Sequence, residues 1–180
     1  MTRNRMLIRV ALGTVGLLLL AQFIRPDQTN PASDPSLSVK NYKGIPPEVA
    51  ARIESACFDC HSNDTRWPWY SRITPVNYLI ARDVNEGRRR INFSEWGKQK
   101  PGRLMSRLED IYNQVYHREM PLSKYVLLHP KAALSDADIK MICDWASGEQ
   151  DRLAQEMEMQ NDNPPTKPND HDTTGTKKKN

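Results

Sequence analysis

Cys57-Phe58-Asp59-Cys60-His61 places two thiols three positions apart and an imidazole directly after the second. This C-x-x-C-H pattern suits covalent attachment of a c-type haem. Two thiols add across the two vinyl groups of one macrocycle, so two intervening residues must curl the chain under the porphyrin edge. His61 then follows at the position from which an imidazole reaches the iron as proximal ligand. Other chemistries compete for the same residues. A thioredoxin-like dithiol needs a βαβ setting, and no strand pattern precedes Cys57. A structural zinc site needs about four Cys or His ligands, yet only Cys143 and three scattered histidines remain. A structural disulfide gives His61 no task.

The second side of an iron held by histidine is often taken by a methionine sulfur, which raises the reduction potential. Met120-Pro121 is the candidate, because the proline holds Met120 in extended geometry within a loop. His129, also followed by proline, is the alternative ligand. Met105 and Met141 fall inside predicted helices, and His117 stands near Met120. Trp67 and Trp69 flank Pro68 in an aromatic loop. They are expected as cofactor-binding residues that wall the ring, each with an N–H to offer.

The elements that must position these groups read as helices. Pro46-Pro47 opens one, and Val49, Ile53 and Cys57 recur at steps of four along it. Pro75 to Val84 carries Val76, Leu79, Ile80 and Val84 at helical spacing and is expected to break near Gly87. Arg88-Arg89-Arg90 then reads as a solvated loop, with an acidic partner or haem propionates as the functional alternatives. Asn92 to Trp96 is a second aromatic loop. Gly102 to Val115 bears the stripe Leu104, Leu108, Ile111, Val115. Ser135 to Asp138 reads as a capping box for a helix whose face is Ile139, Ile142, Cys143 and Ala146. That helix is expected to close the domain against the first, with Cys143 buried and inert.

The remaining segments set the compartment. Met6 to Ile24 is apolar apart from Arg9, Thr14 and Gln22, and arginines precede its main run. Nineteen helical residues span about 28 Å, near a bilayer core, and the charge bias leaves the N-terminus inside. With no A-x-A site, an uncleaved anchor is expected over a removed signal peptide. The organisation expected is thus a cytoplasmic N-terminus (1–5), a transmembrane signal-anchor (6–24), an extended linker (25–40) holding the domain off the membrane, a globular domain (41–150), and a largely disordered tail (151–180), with the last helix running on towards Glu158. The net charge of +4 is unevenly placed but forms no face-length basic stripe with interleaved aromatics, so no nucleic-acid partner is expected.

The run CFDCHSNDTRWPWYSRITPVNYLIARDVNEGRRRINFSEW, then REMP, then HPKAALSD and Trp145, resembles the bacterial haem-binding-domain family of membrane-anchored, monohaem c-type cytochrome-like proteins. The resemblance implies an all-α, cytochrome c-like fold around one covalent haem c. It implies Cys57, Cys60, His61 and Met120 as the haem residues. The expected role is electron transfer with redox partner proteins, on the periplasmic face of the inner membrane, rather than enzymatic turnover. A haem enzyme or sensor would need an open or displaceable distal site with a polar group such as His117 or Arg118. A zinc or dithiol module would need no haem at all.

Overall fold

The computed structural model describes residues 2–162. Six α-helices follow one another: α1 (Thr2–Ala21), α2 (Pro47–His61), α3 (Val76–Arg90), α4 (Pro101–Tyr116), α5 (Ser123–Leu128) and α6 (Asp136–Asp162). Short 3-10 turns at Val39–Asn41, Trp69–Arg72, Phe93–Lys98 and Pro130–Ala132 lie between them. No strand occurs among the described residues, as the all-α reading requires.

The helices begin where local chemistry allows. Proline occupies the first turn of α2 and of α4, where its missing N–H costs nothing. Ser135 and Asp138 cap α6 reciprocally: the Ser135 N–H donates to Asp138 Oδ2 at 2.8 Å and the Asp138 N–H to Ser135 Oγ at 3.2 Å. Leu104, Leu108, Ile111 and Val115 form the buried stripe of α4, and Ile142, Cys143, Ala146 and Leu153 that of α6. These two stripes meet, so α6 packs chiefly along α4 and only secondarily against α2. Each such side chain removed from water contributes about 1.5–3 kcal/mol before chain entropy is counted. Leu153 is buried, so residues 151–162 extend the domain helix and are not tail. The expected disorder beyond residue 162 lies outside the described residues.

An aromatic file crosses the core. Phe58 stacks on Phe93 (5.9 Å between centroids), Phe93 on Trp96 (5.9 Å), and Trp96 meets Trp145 (6.1 Å). The second aromatic loop is therefore a core element, with Phe93 and Trp96 both buried.

Two expectations are corrected. Gly87 does not break α3, which continues through Arg90. A Cβ there would stand 2.5 Å from the Cys60 carbonyl oxygen, so glycine serves to let α2 and α3 touch backbone to backbone. Residues 25–40, expected as a free extended spacer, lie along the domain instead. Asn30 Nδ2 donates to the Thr65 carbonyl (2.9 Å) and Asn63 Nδ2 to that of Ala32 (2.9 Å). Val39, nominally in the spacer, is fully buried. Hydrophobic spacing could not reveal this, because Val39 is an apolar anchor without periodic partners and the hydrogen bonds are long-range.

Gly87→Ala is expected to cost about 1–3 kcal/mol by overpacking and to lower Tm by roughly 5–10 °C. Gly102→Ala, at a helical position with no atom within 4 Å of the added carbon, serves as control and should be neutral or slightly stabilising. Calorimetry of the two variants checks this; equal melting would show that α2 and α3 do not touch at Gly87.

Candidate functional site

The whole C-x-x-C-H motif lies in the last turns of α2, with His61 as its final residue. Cys57 and Cys60, both free thiols, are neighbours on one helix face. The chain after His61 is held rigidly. Ser62 Oγ donates to the Phe58 carbonyl (2.8 Å), the Asn63 N–H donates to Ser94 Oγ (3.0 Å), and Asn92 Nδ2 donates to Asn63 Oδ1 (2.8 Å). This buried polar clasp fixes residues 91–94 beside the motif.

The clasp has a direct consequence for His61. Its Nδ1 lies 3.1 Å from the Ile91 carbonyl oxygen. A carbonyl only accepts, so Nδ1 carries the proton and Nε2 keeps its lone pair. Burial pushes the His61 pKa below its ordinary value, against backbone hydrogen bonding that raises it. The imidazole is thus held neutral, in the tautomer and orientation that a metal ligand needs.

Cys57, Cys60 and His61 open onto a cavity of about 590 Å³, within the range of cofactor pockets. Ile53 and Ala56 of α2, Ile111 and Val115 of α4, Ile142 of α6 and Phe93 give it apolar walls. Charged side chains gather at its rim: Arg82, Asp83, Glu86 and Arg90 of α3, Asp110 of α4 and Lys124 of α5. α5 forms one side. It is tied by the Tyr125 hydroxyl donating to Asp59 Oδ2 (2.7 Å) and by the Lys124–Asp83 ion pair (2.6 Å).

Met120 lines this same cavity, across 59 residues of sequence from His61. It follows the end of α4, where Arg118 takes a left-handed φ of 57° and the Met120 N–H donates to the Gln114 carbonyl at 3.1 Å. The chain reverses there and carries Met120 and Leu122 to the cavity. The structure therefore gathers Cys57, Cys60, His61 and Met120 around one space.

It does not gather the remaining candidates. Trp67 and Trp69 do not line the cavity. Trp69 is 76% exposed, and the Trp67 indole N–H donates to Asn30 Oδ1 at 3.1 Å, so this loop holds residues 25–40 and forms no wall. His129 is also absent from the lining. Its Nδ1 is 3.0 Å from the Tyr125 carbonyl oxygen and its Nε2 is 3.2 Å from the Tyr70 hydroxyl. Both nitrogens are engaged, Nδ1 with α5 itself and Nε2 in fixing α5 to the Trp69–Arg72 turn. His117 and Arg118 are exposed, and Arg118 pairs with Asp136. Arg88 is no solvated side chain: it donates to the Ser62 carbonyl (2.8 Å), Thr65 Oγ1 (2.8 Å) and Asn30 Oδ1 (2.7 Å). Cys143 is buried, donating weakly to the Tyr112 carbonyl at 3.8 Å.

The sequence reading missed Phe93, Tyr125, Lys124 and the Asn63–Ser94 clasp. Only Phe93 left a trace, as part of an aromatic loop. The others reach the site through contacts more than 20 residues apart.

The donor set fits a haem. One face offers two thiols and a neutral imidazole, another a thioether, and the walls between are apolar with a charged rim. It does not fit a zinc site, since among the described residues no group of three or more His, Cys, Asp or Glu converges. A redox dithiol needs a depressed thiol pKa. Here burial pushes Cys57 up to about 12, with Cys60 adding to it, and pushes Cys60 up to about 11, with Asp59 and Asp83 adding to it.

In the haem-free folded chain, iodoacetamide at pH 8 is therefore expected to alkylate Cys57 and Cys60 at least about a hundred-fold more slowly than an exposed cysteine. The rate should rise with pH, because the thiolate is the nucleophile, and reach the unfolded value in strong denaturant. Mass spectrometry after timed quenching reads this; fast labelling at pH 8 without denaturant would show that the thiols are neither buried nor protonated.

A family model described as a haem-binding domain matches residues 16–148. Comparison with curated proteins and with solved structures gives no match. The matched stretch takes in every cavity residue named above and covers most of the chain, and the chain belongs to the haem-binding domain family.

Proposed function

We propose that this protein is a membrane-anchored monohaem c-type cytochrome that carries single electrons and performs no turnover of its own. The observation that carries the reading is the convergence of Cys57, Cys60, His61 and Met120 on one apolar cavity. Bound there, a haem supplies a one-electron iron couple.

The chain's residues have separable tasks in this reading. The Cys57 and Cys60 thiols would hold the haem covalently, each adding its sulfur and hydrogen across one vinyl group, which would consume no oxidant. His61 would offer Nε2 to the iron while its Nδ1 keeps its proton and donates to the Ile91 carbonyl. Met120 would offer its thioether from the loop after α4 and favour the reduced state. Arg82, Arg90 and Lys124 supply cationic partners for propionates at the rim. The apolar walls exclude water and keep the local dielectric low, which limits solvent reorganisation around a charge change. With His61 and Met120 both holding the iron, the chain would leave no open position on it for substrate. His117 and Arg118 stand outside the cavity, so the sensor or enzyme reading loses the two distal groups expected of it. A cytochrome c-like arrangement, the unidentified redox partners and a periplasmic placement belong to the same proposal. α1, at a mean hydropathy of 1.5 over its candidate span and with none of it buried, suits the anchor.

Expression with haem-c maturation machinery is expected to give a red protein whose haem survives acid–acetone extraction and shows a pyridine haemochrome of the two-thioether type. Met120→Ala should abolish methionine-to-iron charge transfer in the oxidised spectrum, open the iron to carbon monoxide and lower the midpoint potential. Extractable haem would refute covalent attachment; an unaltered Met120→Ala spectrum would remove Met120 as ligand.

A further inference from the structure

The end of α1 is bonded to the haem domain. Gln22 Nε2 donates to the Thr74 carbonyl (3.3 Å) and the Thr74 N–H donates back to Gln22 Oε1 (3.2 Å). Thr74 Oγ1 donates to the Ala21 carbonyl (3.4 Å), and the Tyr78 hydroxyl to that of Ile24 (3.0 Å). α1 has 20 residues, about 30 Å of helix, which is the thickness of a bilayer's hydrocarbon core. If it spans, Ala21 and Gln22 sit at the outer boundary of that core. Thr74 and Tyr78, bonded to them, sit at the same depth.

The side chains around that junction are apolar and uncovered. Phe23 and Ile24 follow α1 in a turn, and Trp69, Ile73, Val76 and Leu79 flank Thr74 in the chain, all exposed. Next to them, the Tyr70–His129 hydrogen bond brings α5, whose Leu127 is 80% exposed, together with Leu128. Arg25 and Arg72 are exposed at the same junction. Tryptophan, tyrosine and arginine beside an apolar surface is the composition of a bilayer's interfacial belt, and these two arginines suit anionic headgroups. Residues 25–40 cannot hold the domain away, because they are hydrogen-bonded along it.

We infer that the haem domain lies on the membrane, with Trp69, Ile73, Val76, Leu79 and Leu127 sunk into the headgroup–acyl boundary of the bilayer that α1 crosses. This face explains two features the haem site does not use: the exposed Trp69 and the apolar outer side of α5. It also places α5, one side of the haem cavity, next to the lipid. The inference rests on the reading of α1 as an anchor.

The test uses the full-length holoprotein in nanodiscs containing phosphatidylethanolamine and phosphatidylglycerol. Photoreactive benzoylphenylalanine is placed singly at positions 69, 79 and 127, at position 12 within α1, and at position 140 on exposed α6. Lipid adducts counted by mass spectrometry are expected at 12, 69, 79 and 127, at least about ten-fold above position 140. Adducts at 12 with none above background at 69, 79 and 127 overturn the inference and leave the anchor standing. No adduct at 12 overturns the anchor reading and the inference with it. Crosslinks from 69 and 79 to a second copy of the chain overturn it in favour of a protein interface.

Discussion

Between Cys60 and Gly87 two helices touch with no side chain between them. Everything at the site depends on that contact. It brings the last turn of α2 against α3, so that His61 falls beside Ile91 just as α3 ends. It also leaves the Cys57–Cys60 face free to open onto the cavity between α2, α3, α4 and α5. A larger residue at position 87 would push the helices apart, move the Ile91 carbonyl from the imidazole and widen the pocket on the wrong side.

Around that contact the chain solves a problem common to small cofactor proteins. A cavity of this size leaves much apolar surface unpaired, and the surrounding structure must be held by other means. Polar bonding does much of the holding. Arg88 joins the chain after the motif to residues 29–30, and the Asn63–Ser94–Asn92 clasp fixes the far side. At the other end Glu149 is buried beneath Gly44, accepting from Arg152 and from the Tyr42 hydroxyl. Such bonds are directional, so they define positions more sharply than hydrophobic burial alone. Directional bonds suit a haem-binding site, whose side chains must converge on one cofactor.

Much of this was legible in the sequence because it rests on short-range pattern. The stripes of α2, α4 and α6 follow from 3.6-residue periodicity, the capping box at Ser135 from four consecutive residues, and the motif from five. What periodicity could not show was the purpose of residues that break a pattern. Gly87 looks like a helix stop in isolation and is a helix contact in the fold. Arg88 looks like surface charge and is a buried-side bracket. Trp69 looks like core and is exposed, because exposure depends on what lies opposite and no local window records that.

The sequence by itself determined which donor groups are available: two thiols and an imidazole at C-x-x-C-H spacing and one methionine before a proline, beside an apolar N-terminal helix. These are properties of residue type and of separations of a few positions, which the covalent chain fixes directly. Only the tertiary structure decided which of Met120 and His129 faces the motif, which nitrogen of His61 is free, and where residues 25–40 lie. Those choices turn on hydrogen bonds and helix contacts between residues up to about 60 positions apart, whose partners the chain does not meet until it folds.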